Sequence, residues 1–194
     1  MENFLKQQYV VISIMGSHAG ESEEEIFERK RREIKNTGKS FWLYKSYSAK
    51  PDIVQDLCEE ALKEERNTPI CIFIQTSSKN GARPTIQADR MQEFSIDQKS
   101  WKKIPAGIVV TGSSRNAFIM VFNELELVGD NQYLDLWDYS LFKSPGKAVK
   151  MILGASTACC LKKSSKKDSN KMKSNIRKII AIGKLTYPFA SWTR

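Results

Sequence analysis

The front half of the chain alternates short apolar runs with stretches of helical periodicity, and that alternation restricts it to architectures that pack helices on a sheet. Tyr9-Val10-Val11-Ile12-Ser13-Ile14-Met15 is a β-branched run that stops at Gly16, residues 41–44 form a second and residues 70–74 a third. Runs of this length bounded by turn residues read as buried strands. Between the first two, Ser22 followed by Glu25 fits a capping box. Ile26, Phe27, the stem of Lys30 and Ile34 then share one side until Asn36-Thr37-Gly38 stops the helix. Between the second and third, Pro51 stands in a first turn and Ile53, Val54, Leu57, Cys58, Ala61 and Leu62 recur at helical spacing. Strand, helix, strand, helix, strand predicts an α/β or α+β fold with a βαβαβ-like N-terminal half on a mixed sheet.

The second half has a different texture. Residues 77–105 are polar and broken by Asn80-Gly81 and Pro84, which predicts a long surface excursion with one helical turn around residues 88–94. Residues 108–111 and 117–122 read as two strands joined through residues 112–116 as an antiparallel hairpin. Residues 133–139 fit either a strand or an aromatic connection, and residues 179–182 a late strand. Residues 162–173 are low in complexity and rich in Lys and Ser. The expected organisation is a single α/β domain over residues 1–194, antiparallel in its C-terminal half, with a mobile basic segment at about 162–175.

With 41% hydrophobic residues, nine Phe and four Trp, the chain has enough apolar surface for a core. It has no run approaching the ~18 apolar residues of a membrane helix. Met1-Glu2-Asn3-Phe4-Leu5-Lys6 also lacks the basic and apolar regions of a secretory signal, so a cytoplasmic location without membrane contact is expected. None of Cys58, Cys71, Cys159 and Cys160 forms a C-x-x-C pair, which argues for reduced thiols and no metal site. Cys58 and Cys71 lie on apolar positions. Cys159 and Cys160 are neighbours on an extended segment, so they face opposite ways and one is open to exposure.

Charge is distributed very unevenly. From Lys143 onward there are thirteen Lys or Arg against Asp168 alone, a local net of +12, while the rest of the chain carries −3. Such asymmetry points to an anionic partner, nucleic acid before lipid. The candidate phosphate contacts are Lys162, Lys163, Lys166, Lys167, Lys171, Lys173, Arg177 and Lys178. Trp42, Tyr44 and Tyr47 alternate with Lys39, Lys45 and Lys50, a pattern in which bases can stack between cations.

Catalytic signals are weaker. Gly16-Ser17-His18-Ala19-Gly20-Glu21-Ser22 joins a strand to a helix, where α/β folds place phosphates, but it matches no nucleotide-binding fingerprint. Glu21, Glu23, Glu24 and Glu25 oppose an anion there. His18 is the only histidine, so imidazole catalysis must use it, and centres built on several histidines are excluded. Glu124, Glu126, Asp135 and Asp138 lack the spaced lysine of a nuclease centre.

Lys39-Ser40-Phe41-Trp42-Leu43-Tyr44-Lys45-Ser46 resembles the strand that opens domains of the EVE and PUA-like class. The resemblance implies a base held against aromatic residues. In that class the strand begins the domain, whereas here a strand and a helix precede it, so no residue roles are carried over.

The sequence thus favours a nucleic-acid-binding protein that contacts phosphates, DNA or RNA, without cofactor or metal. It leaves open a small enzyme acting on a nucleotide or other anionic substrate through residues 16–22, with residues 111–114 as a further candidate, and a module that binds an acidic protein. Oligomeric state is not readable from it.

Overall fold

The computed structural model describes residues 4–15, 21–75, 89–112, 117–144, 158–164 and 176–194. The first strand, β1 (Tyr9–Met15), lies parallel to β3 (Ile70–Gln75), with Val11 beside Cys71 and Met15 beside Gln75. The chain between them supplies α1 (Glu23–Thr37), β2 (Ser40–Tyr44) and α2 (Pro51–Glu64). Helix α1 begins and ends where its sequence dictates. Ser22 Oγ accepts from the Glu25 amide while Glu25 Oε2 accepts from the Ser22 amide at 2.7 Å. Gly38 closes the helix at φ 78°, the left-handed conformation that a β-carbon disfavours.

All other ladders are antiparallel. Outward from β1 run β11 (Ala158–Lys163) and β10 (Tyr139–Leu141); outward from β3 comes β12 (Ile176–Thr193). Strand β12 holds the sheet together. It pairs with β9 (Tyr133–Asp135) at its start, with β3 next, with β8 (Phe118–Leu127) along most of its length, and with β5 (Glu93–Ser95) at its end. Strand β8 in turn pairs with β2, and β5 with β6 (Lys102–Lys103). A separate two-stranded ladder joins β4 (Asp89–Arg90) to β7 (Thr111–Gly112).

Both sheet faces are covered, which explains the unbroken apolar runs. On one face Val54, Leu57, Cys58 and Ala61 of α2 pack against Val11, Cys71, Phe73, Cys160 and Ala181. On the other, Leu134 and Leu136 cluster with Val10, Ile12, Ile72, Cys159 and Leu161, and Tyr139 and Leu141 of β10 extend the same buried face. Cys159 and Cys160 do face opposite ways, yet neither thiol is exposed, because each side has its own cover. A third cluster sets Met91, Ile108 and Val110 over Phe41, Ile119 and Val121.

Three sequence expectations need correction. Residues 108–111 do not pair with residues 117–122 as a hairpin: Ile108 and Val110 are buried as cover for β2 and β8, and β8 takes β2 and β12 as partners. The helical turn around residues 88–94 is instead the strands β4 and β5. Lys162 and Lys163 belong to β11 rather than to a loop. No helix among the described residues is long and apolar enough to cross a membrane.

Candidate functional site

Four neighbouring strands end together. Ser13 pairs with Ala158, Met15 with Gln75 and Ile74 with Ile179. The carboxyl ends of β1 and β3 therefore lie beside the start of β11, and the start of β12 reaches the same end. Residues 16–20 leave from Met15, residues 76–88 leave from Gln75, residues 145–157 enter at Ala158 and residues 165–175 enter at Ile176. The topology thus attaches the strand-to-helix loop and the polar excursion to one end of the sheet, while the basic segment 165–175 joins Ser164, at the far end of β11, to Ile176 at this end. In α/β folds ligands bind outside the carboxyl ends of the parallel strands. His18, Lys166, Lys167, Lys171 and Lys173 lie outside the described residues.

The described basic candidates fall into two groups. Lys162 stands opposite Tyr9, its ammonium 4.7 Å from that ring's centre. The Tyr9 hydroxyl donates to the Glu64 carboxylate at the end of α2, and a hydrogen bond with Tyr9 holds the Lys162 ammonium above its ordinary pKa. Lys163 Nζ donates to the Leu5 carbonyl at 3.0 Å. Both are thus turned onto their own chain. Arg177, opposite Leu134, is half-buried, and its guanidinium has no ion-pair partner among the described residues. Lys178 pairs with Asp130 at 3.1 Å.

The two aromatic candidates lie inward. Tyr44 is 2% exposed and offers no face to a base; burial raises its pKa well above the ordinary value, and its hydroxyl has no hydrogen-bond partner among the described residues. Trp42 is half-buried and packs edge-on against Phe73 at 4.7 Å.

Features suggesting catalysis find structural employment. Glu124 is paired with Lys184 at 2.7 Å, and Asp135 accepts from the Trp137 amide at 3.0 Å. Among the described residues no three of His, Cys, Asp and Glu are arranged to hold a metal ion. Beside the loop 16–22, Glu21, Glu24, Glu25, Glu28 and Arg32 line an open depression of about 360 Å³, an acidic surface that disfavours an anion.

One constellation escaped the sequence reading. The ammonium of Lys30, only its stem being expected inside, is buried and donates to Glu33 Oε2 at 3.0 Å, to the Phe41 carbonyl at 2.6 Å and to the Val109 carbonyl at 2.8 Å. Glu33 also accepts from Ser40 Oγ and the Val109 amide. Arg29 bridges it to Glu21, giving two hydrogen bonds to the Glu21 carboxylate at 2.8 and 2.6 Å. With all three Lys30 protons engaged, this is a clamp holding α1 to the β2 edge. Lys30 and Glu33 one turn apart, on the face that carries Ile26, were the available signal.

Comparison with protein-family models, with curated proteins and with solved structures finds no match to this chain, so the reading of its function rests on its own residues.

Proposed function

We propose that this protein binds nucleic acid through phosphate contacts at the sheet end where β1 and β3 finish and β11 and β12 begin. The observation that carries the reading is where the segments of single-sign charge join the sheet. Residues 76–88 contain Lys79 and Arg83, residues 145–157 contain Lys147 and Lys150, and residues 165–175 contain Lys166, Lys167, Lys171 and Lys173 against Asp168. Those three segments carry +7 of the chain's +9; Gln75, Ala158 and Ile176 lie on adjoining strands at one end, and residues 165–175 join Ile176 to Ser164 at the far end of β11. Single-sign charge concentrated on one surface favours a polyanion and steers its approach.

The side-chain partners also sharpen the test. Replacing Lys166, Lys167, Lys171 and Lys173 with Gln lowers the slope of log affinity against log salt by roughly 0.9 for each duplex phosphate left unneutralised, or roughly 0.7 on a single strand. The weakening is similar across unrelated sequences, because phosphate contacts carry no base information. Lys162→Gln with Lys163→Gln leaves the slope unchanged, since both stand at the far end of β11 and turn onto Tyr9 and the Leu5 carbonyl. Titration of duplex DNA and single-stranded RNA over a salt series measures both. An unaltered slope in the fourfold variant, or no binding by the parent protein at low salt, sinks the reading.

A further inference from the structure

Strand β12 makes a second aromatic feature, far along the strand from Ile176. Leu185 pairs with Phe122 and Ala190 with Met120, so β12 takes five steps where β8 takes two. The surplus residues bulge out of the ladder, and Phe189 adopts φ 60°, unusual for a bulky side chain. A bulge re-aims the side chains it carries. Here it turns Tyr187 outward, 71% exposed, with its ring set edge to face against Phe189 at 6.2 Å.

The outward ring forms one wall of a depression of about 260 Å³. Phe94 lines it too, anchored edge-on to Phe41 at 5.2 Å. Asp97 lies in the wall, and its Oδ1 shapes the turn. It accepts from Ser95 Oγ and from the amides of Lys99 and Ser100 at 2.8–3.0 Å, and those bonds hold its pKa down at about 2. Glu93, the next acid along, pairs with Arg194 at 2.7 Å, whose guanidinium lies 4.2 Å from the centre of the Trp101 ring. Lys102 is exposed on the rim opposite Phe94. Glu93 is therefore paired, Asp97 stays ionised and turns a phosphate away from its side of the wall, and an aromatic wall and the Lys102 cation remain for a ligand.

We propose that this depression is a base-stacking site, taking an unpaired nucleobase of a single-stranded nucleic acid against Tyr187 while Lys102 meets the adjoining phosphate. Size decides between a tethered base and a free small molecule. Sites that enclose small ligands run from about 300 to 1,000 Å³, so this one suits a single ring of a ligand held elsewhere by its backbone. The proposal rests on the nucleic-acid reading for its ligand class, while its residues are separate from the lysine-rich segments.

Tyr187→Ala tests it directly, with a single-stranded oligonucleotide of about 12 nucleotides and the matching duplex as probes. Removing the ring from beneath one stacked base weakens single-strand affinity roughly tenfold and leaves duplex affinity unchanged, because paired bases are not offered to the ring. Tyr187→Phe keeps the ring face and binds like the parent, and Lys102→Gln lowers the single-strand salt slope by roughly 0.7. An unchanged thermal midpoint for Tyr187→Ala shows that the exposed ring is not a folding element. If the parent binds the single strand and Tyr187→Ala binds it equally well, or loses both probes equally, the stacking site is overturned while the phosphate reading stands. If the parent binds neither probe, both fall.

Discussion

Glu33→Gln examines the clamp that fixes α1 to the sheet. The Glu33 carboxylate is 3% exposed and accepts from Lys30 Nζ at 3.0 Å, Ser40 Oγ at 2.5 Å, the Val109 amide at 3.0 Å and Arg29 Nη1 at 3.3 Å. Glutamine keeps the volume, removes the charge and turns an NH2 group toward one of these donors. Removing one partner of a buried ion pair costs about 3–5 kcal/mol. At roughly 2–4 °C per kcal/mol for a chain of this size, the melting midpoint should fall by roughly 6–20 °C. Lys30 gives the loss a pH signature. Burial strips its ammonium of water and pulls its pKa down to about 8, with Glu33 opposing the shift. In the unfolded chain a lysine titrates near ~10.4. Between these values the unfolded state holds more protons, so the Lys30 contribution to stability rises with pH. The cost of burying the charge is complete below pH 8 and is relieved above it. Urea unfolding of parent and Lys30→Met across that window should show the parent gaining up to ~1.4 kcal/mol per pH unit. A Glu33→Gln loss under ~1 kcal/mol, or a parent-minus-variant difference flat in pH, would refute the clamp.

Other outcomes follow from burial and close packing. Every cysteine is buried, and burial raises all four thiols above their ordinary range. A thiol reagent should therefore label none in the native protein and all four after denaturation without reductant; two missing thiols would contradict this. At Gly183 a β-carbon would meet Phe122 Cδ1 at 3.2 Å and Leu125 Cδ1 and Phe73 Cε2 at 3.4 Å, so Gly183→Ala should lower stability by about 1–3 kcal/mol. An unchanged urea midpoint for that variant contradicts the packing around β12.

The elements most legible in the sequence are those whose signals are local. The β1 run, the Ser22–Glu25 box, Gly38 and the α2 periodicity each lie within a few residues and appear where expected. Residues 108–111 misled because apolar alternation reports a buried face and not a choice of ladder: Ile108 and Val110 are buried outside any strand, and Thr111 pairs with Arg90 instead of with β8. Strand β12 was read as four residues and runs to eighteen. Its outer portions are polar, aromatic or interrupted by Pro188, and they are held by partners as distant as Glu93–Ser95 and Tyr133–Asp135. Pairing over such separations leaves no period in a short window.

The same locality limits what a charge count reveals about the candidate site. Lys162 and Lys166 are indistinguishable within a run of lysines, yet Lys162 stands over Tyr9 because β11 pairs with a strand at the other end of the chain. Lys143 finds Asp56, Lys178 finds Asp130, Lys184 finds Glu124 and Arg194 finds Glu93, all acids from earlier in the sequence. A base paired with an acid is a dipole, whose field dies within a Debye length of about 8 Å at physiological salt. Like charges that gather without acids add instead, and their summed potential is what a polyanion feels on approach. The twelve excess charges counted after residue 142 are thus partly cancelled by the fold, through acids that no sequence window places beside them.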